Sequence, residues 1–197
     1  YEFVKRIFPI CRSITGNGVR ETLKIMQEYA PDIKVYEVPS GTQVFDWTVP
    51  SEWNIEDAYV ENEAGERVID FKETNLSVVG YSLPMDEILS LEELKRIVFV
   101  EESQPDVIPY VTSHYRERSA FCTSKNRLEA LPEGKYHAVI KSNLNPQGSL
   151  TYGEALIQGE SDKEIPIATL RKYIEKNPST NICNKNTADY RSLYIPS

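Results

Sequence analysis

Phe8-Pro9-Ile10-Cys11-Arg12-Ser13-Ile14-Thr15-Gly16-Asn17-Gly18 is the stretch from which the fold can be read outward. Its second half, residues 13–18, is built from Ser, Thr, Asn and Gly around a single Ile, the composition of a turn-rich joint and not of a regular element. Before it, Phe3, Val4, Ile7 and Phe8 recur with helical spacing, which predicts a short leading helix over residues 1–8. After it, Val19, Leu23, Met26 and Ala30 follow the rhythm of an amphipathic helix over residues 19–29. Ala30-Pro31-Asp32 ends that helix, because the residue before a proline is pushed out of the helical region. Residues 33–38 then alternate as a strand, with Ile33, Val35 and Val38 apolar and Lys34 and Glu37 charged.

From Thr48 onward the texture changes to short β-rich runs punctuated by turn residues. Strands are predicted over residues 57–61, 67–71, 76–81, 106–115, 119–123, 135–142 and 149–157. Residues 60–68 read as a hairpin reversed at Ala64-Gly65. Ser90-Leu91-Glu92-Glu93 is a capping box, in which Ser90 accepts from the Glu93 amide and Glu93 reaches back, so a short helix opens there. Strands spaced about ten residues apart predict a compact antiparallel sheet or sandwich. Residues 166–176 are expected to form a last helix with Ile167, Leu170 and Ile174 on one side, followed by a polar tail. The fold class is therefore α/β or α+β: leading helices and a first strand (1–47), a β-rich block (48–160), and a C-terminal helix and loosely ordered tail (161–197).

Composition limits the function. The chain has 197 residues, 40% hydrophobic and 26% charged, with a net charge of −8. That acidic balance disfavours nucleic acid and anionic membrane as partners. No apolar run approaches the roughly 18 residues of a membrane span. Cys11, Cys122 and Cys183 lie far apart and are odd in number, which is neither a disulfide framework nor a metal knuckle; reduced cysteines in a cytoplasmic protein are the expectation.

Several blocks carry a resemblance. They are residues 8–18; Val38-Pro39-Ser40-Gly41-Thr42-Gln43-Val44-Phe45-Asp46-Trp47-Thr48-Val49-Pro50; Glu52-Trp53-Asn54-Ile55 with Asp57-Ala58; Asn75-Leu76-Ser77-Val78-Val79-Gly80-Tyr81-Ser82; Pro109-Tyr110-Val111-Thr112-Ser113; Gly148-Ser149-Leu150-Thr151-Tyr152-Gly153-Glu154; and Gly159-Glu160-Ser161-Asp162. In these blocks the chain resembles a bacterial family of zinc aminopeptidases, known mainly as domain-of-unknown-function proteins. Some members are labelled polysaccharide-biosynthesis proteins with an aminopeptidase-like domain. The resemblance implies that residues up to about Trp47 supply the leading helices and first strand of a peptidase domain, and that the block to about Glu160 is a β-rich insertion. It also implies that the peptidase chain resumes near Glu164 with a strand and a His-Pro-Ser loop. Pro166-Ile167-Ala168-Thr169-Leu170-Arg171 stands there instead, and a proline is a poor start for a buried strand. Residues 117–122 also depart from the family, whose members more often place Trp-Gly before Phe-Cys.

A hydrolytic zinc ion needs about three protein ligands and an open position for water. The two histidines, His114 and His137, fall in different predicted strands, and neither has a partner at HExxH-like spacing. Zinc is thus expected in full-length family members, with the metal centre outside this chain and no catalytic residue within it. The expected role is the cleft-shaping part of an aminopeptidase-like protein acting on a peptide N-terminus or an amino-sugar derivative, with assembly into a homo-oligomer compatible. The alternative is a degenerate, non-catalytic binding or scaffolding module.

Among individual residues, Tyr110, His114, Tyr115, Arg116 and Arg118 form a polar, aromatic and cationic cluster suited to contact a substrate carboxylate. Its blander reading is a half-exposed strand whose arginines pair with nearby glutamates. His137 reads as a solvent-facing strand residue, and Trp47 and Trp53 as a packed joint. Gly16-Asn17-Gly18 opens a helix but follows no strand and has no lysine, so a simple helix-opening turn is favoured over an anion cradle. Cys11 beside Phe8-Pro9-Ile10 reads as packed, not reactive.

Overall fold

The computed structural model of the protein describes residues 1–113 and 116–156. In chain order the elements are α1 (Glu2–Ile7), α2 (Asn17–Tyr29), β1 (Lys34–Pro39), β2 (Gln43–Val44), β3 (Trp47–Thr48), β4 (Glu52–Glu61), β5 (Arg67–Asp70), β6 (Met85–Ser90), α3 (Leu91–Ile97), β7 (Val98–Phe99), β8 (Phe121–Cys122), α4 (Lys125–Glu129), β9 (Lys135–Asn145) and β10 (Ser149–Glu154). Tyr1–Leu156 form a single packed unit. The helix and C-terminal tail expected beyond residue 156 lie outside the described residues.

Four antiparallel strands in the order β5-β4-β9-β6 make the central sheet. This is a mixed helix and antiparallel-sheet fold, as the strand spacing predicts, in which the described residues place three two-stranded sheets beside the four-stranded one. Ala58 and Val60 of β4, Ile69 of β5 and Tyr136, Ala138 and Ile140 of β9 bury one face against Leu91 and Leu94 of α3, Val98, Phe121 and Leu128. Each fully buried aliphatic side chain of this kind contributes about 1.5–3 kcal/mol relative to exposure. The capping box forms as read, with Glu93 N–H donating to Ser90 Oγ and Ser90 N–H to the Glu93 carboxylate.

β9 stays paired with β4 to its last residue, Asn145, turns at Pro146-Gln147, and returns as β10, which leaves the sheet and pairs antiparallel with β1. Gly153 of β10 lies against Leu23 of α2, so the two-strand ribbon is backed by that helix. The hairpin between β4 and β5 turns at residues 62–66, as its Ala64-Gly65 reversal suggests.

Three expectations differ from the structure. Residues 76–81 are no strand: a turn of 3-10 helix (Asn75–Ser77) leads into isolated bridges, Val78 with Phe121 and Gly80 with Thr112. Tyr81 adopts φ +68, a left-handed conformation that ends any ladder. Of residues 106–115, the described ones contribute only the Thr112 bridge. β6, a full strand of the sheet, falls where no strand is predicted.

Candidate functional site

β5 pairs with β4 only over Tyr59–Glu61, so the first half of β4 would present an open edge. The turn-rich joint of residues 13–18 occupies that edge. Trp53 N–H donates to Thr15 Oγ1 at 3.1 Å, and Asn17 N–H donates to Asn54 Oδ1 at 2.8 Å. Gly16, the residue capping α2, sits at φ +86, and a Cβ there would collide with the Trp53 carbonyl oxygen. Glycine at this position is dictated by both conformation and contact.

Behind the joint lies a buried polar junction. The Thr15 and Tyr81 hydroxyls are 2.6 Å apart, and Tyr81 stacks on Trp53 with centroids 5.6 Å apart. The Trp53 indole N–H and the Ser142 hydroxyl both donate to the Ser82 carbonyl, at 2.9 and 2.7 Å. Burial pushes the Tyr81 phenol above its ordinary pKa, opposed by its hydrogen bonds to Thr15 and Ser13. Four of the quoted blocks, those containing Thr15, Trp53, Tyr81 and Thr112, meet at or beside this junction.

Joint, β4 edge and β9 together enclose a cleft of about 630 Å³. Pro9, Ile10, Ile55 and Phe71 supply its apolar lining; Asn54, Asn143, Glu21, Glu56 and Lys141 supply its polar groups. Glu56 is placed there by a β-bulge. Ile55 faces Ser142 and Asp57 faces Lys141, so Glu56 is the extra residue of β4, without a partner on β9.

A second polar cluster stands next to the first. Arg20 of α2 holds Glu52 through two hydrogen bonds, Nη1 to Oε1 at 2.8 Å and Nη2 to Oε2 at 2.6 Å, and reaches Glu37 of β1 at 2.8 Å and Ser149 Oγ of β10 at 3.0 Å. Ser149 N–H donates to Glu52 Oε2 at 3.0 Å. The Arg20 hydrogen bonds hold the Glu52 carboxyl down to about 2, and Arg20 is raised in turn by Glu52. With both carboxylates held by Arg20 and by hydrogen bonds from β10, this cluster is a structural joint.

Of the residues singled out from the sequence, the described ones, Tyr110, Arg116 and Arg118, stand outside the lining of the cleft. Tyr110 is half-buried and close enough to oppose ionisation of the Tyr81 phenol. Arg116 is exposed, and the Arg118 guanidinium lies over the Phe99 ring at 5.5 Å. His114 and Tyr115 lie outside the described residues. His137 is partly exposed on β9, its Nε2 2.6 Å from Asp86 Oδ1 and its Nδ1 3.9 Å from Glu61 Oε2. Among the described residues no three or more His, Cys, Asp or Glu side chains are grouped to hold a metal ion, so these residues do not fit a zinc site. Cys122 is fully buried and its thiol is pushed up to about 12 by that burial, which removes it as a nucleophile.

Glu21, Glu56 and Lys141 were not read from the sequence as site residues. A signal was available for Glu56: the apolar positions of β4 shift phase from Trp53 and Ile55 to Ala58 and Val60, although Ile55, Ala58 and Val60 pack on one core. A change of phase inside one strand is the mark of a bulge.

Geometry alone makes this a mixed helix and antiparallel-sheet unit with a cleft on its sheet edge. Comparison with known proteins narrows that. Residues 52–143, most of the central sheet, match the family described as "Domain of unknown function (DUF2172)". The chain is 48% identical over 186 residues to a Clostridium acetobutylicum protein named "Putative polysaccharide biosynthesis protein with aminopeptidase-like domain", covering 94% of this chain and 41% of that relative. It also matches a crystal structure of a "putative peptidase" from Clostridium acetobutylicum, with 51% identity, a TM-score of 0.74, and coverage of 78% of this chain and 36% of the other. These findings bear out the resemblance carried by the sequence blocks. The chain spans about two fifths of the length of the relative it matches. Among the described residues no helix is long and apolar enough to cross a membrane.

Proposed function

We propose that this chain supplies the N-terminal and inserted-domain portion of an aminopeptidase-like zinc protein, and that its cleft faces the substrate while the metal centre lies elsewhere. The substrate is a peptide N-terminus or an amino-sugar derivative. The observation that carries this reading is the convergence of separate sequence blocks on one cleft wall: Thr15, Trp53 and Asn54, far apart in sequence from Tyr81 and Ser142, are locked into one junction. The apolar walls and amide groups that line the cleft among the described residues suit recognition, orienting a ligand.

Two measurements test this. Zinc content of the purified chain, dialysed against weakly chelating buffer, is expected to be far below one equivalent; near-stoichiometric zinc overturns the placement of the metal centre. In the longer Clostridium acetobutylicum relative, alanine at the position aligned with Asn54 is expected to raise KM for an aminoacyl p-nitroanilide by about tenfold with a smaller change in kcat, as for lost uniform binding. An unchanged KM overturns the cleft's role.

A further inference from the structure

We infer that the cleft is a binding site for a small zwitterion, in which Glu56 and Glu21 take the ligand's ammonium group and Lys141 its carboxylate. This rests on the reading of the cleft as substrate-facing and adds the chemistry of what it selects.

The carrying observation is that unpaired charges of both signs share one concavity. Elsewhere on the protein, side chains of opposite charge that share a site close ion pairs, as Arg6 does with Glu28 at 2.6 Å, Arg67 with Asp70 at 3.2 Å, Lys125 with Glu102 at 2.6 Å and Arg127 with Glu73 at 3.0 Å. Glu21, Glu56 and Lys141 line one cleft, carry both signs, and form no ion pair or side-chain hydrogen bond among the described residues. Charges of opposite sign around one concavity that do not reach each other are left for a ligand that reaches both.

Three further features agree. The bulge lifts Glu56 out of the ladder, and bulges recur beside binding sites because they re-aim one side chain. A volume of about 630 Å³ lies within the range of small-molecule sites. Ile10, Ile55 and Phe71 in the same lining offer an apolar wall against which the ligand's carbon skeleton can pack. Two carboxylates against one ammonium disfavour a dianionic ligand, and the lysine disfavours a simple dication.

The test uses the whole 197-residue chain and three zwitterions: leucine, alanyl-alanine and glucosaminuronic acid. Each is compared with its N-acetyl and its carboxamide derivative. Affinity is read by calorimetry, and cleft occupancy by shifts of the Phe71 ring signals in NMR. At least one zwitterion is expected to bind and shift Phe71, with N-acetylation weakening it about tenfold or more, the loss of one charge-assisted contact. Glu56→Gln is expected to cost the same factor for the free amine and nothing for the N-acetyl form. Lys141→Met is expected to do likewise for the carboxylate against the carboxamide. Both residues are exposed, so the variants keep the fold. If Phe71 shifts but charged and neutral probes bind alike, or the variants leave the discrimination intact, the zwitterion inference falls and the cleft reading stands. If no probe moves Phe71, both fall.

Discussion

Tyr81 shows how one residue can hold a strained conformation. Its φ of +68 costs a non-glycine residue about 1 kcal/mol or more, and it is 3% exposed. The strain is offset by stacking on Trp53 and by the 2.6 Å contact of its hydroxyl with Thr15. Removing the hydroxyl alone separates these effects. Tyr81→Phe keeps the ring and the backbone, while Thr15 still accepts from Trp53 N–H, so a loss of about 1–1.5 kcal/mol is expected. A urea midpoint lowered by that amount with an unchanged m-value confirms it. No loss would mean that the stacked ring alone holds the turn. The block around Tyr81 was legible as a motif, but its shape was not. Val78-Val79-Gly80-Tyr81 has the composition of a strand, and only the tertiary demand for a buried phenol beside Thr15 turns it.

Elements whose cause is local were the legible ones. α2 is dictated by apolar spacing after a glycine-rich joint, and α3 by Ser90 and Glu93 acting on each other's backbone. Ser90→Ala is expected to cost about 1 kcal/mol, because it removes the acceptor for the Glu93 amide and half of the reciprocal pair. Thermal unfolding should show a Tm drop of a few degrees, and Ser90→Asp should recover most of it. β6 escaped for the opposite reason. Met85 and Leu89 pack on the core, yet Glu87 shares their side of the strand while Ile88, on the other side, is 69% exposed. The alternation that advertises a strand is cancelled, and β6 exists because its backbone pairs with β9 at the sheet's edge. The cleft was half legible in the same sense. Asn54 stood in a recognised block, whereas Lys141 enters it only through long-range register with the bulge at Glu56.

On the scale of the whole unit, Arg20 ties the central sheet to the β1–β10 ribbon, holding Glu52 of β4, Glu37 of β1 and Ser149 of β10. A two-strand ribbon is marginal by itself, so the ribbon depends on α2 and on this joint. Glu52 is the joint's pH-sensitive member. Its folded value of about 2 lies below the ordinary 4.5, so its contribution is complete above about pH 4.5 and is lost as pH falls through about 2. A depression of that size corresponds to about 3 kcal/mol, with its side chain 10% exposed. Arg20→Met leaves Glu52 buried without its cation and is expected to cost about 3–5 kcal/mol, more than Glu52→Gln, which removes the charge along with the pairing. Hydrogen exchange locates the loss. Amides of β1 and β10 should lose protection in Arg20→Met at neutral pH, while those shared by β4 and β9 keep theirs, since the sheet's core of Ala58, Val60, Tyr136 and Ile140 does not touch this joint. The wild-type protein should lose ribbon protection in the same order on acidification below about pH 4. Equal loss across both sheets would mean that the unit opens all at once, and that the cleft wall is as stable as the core behind it.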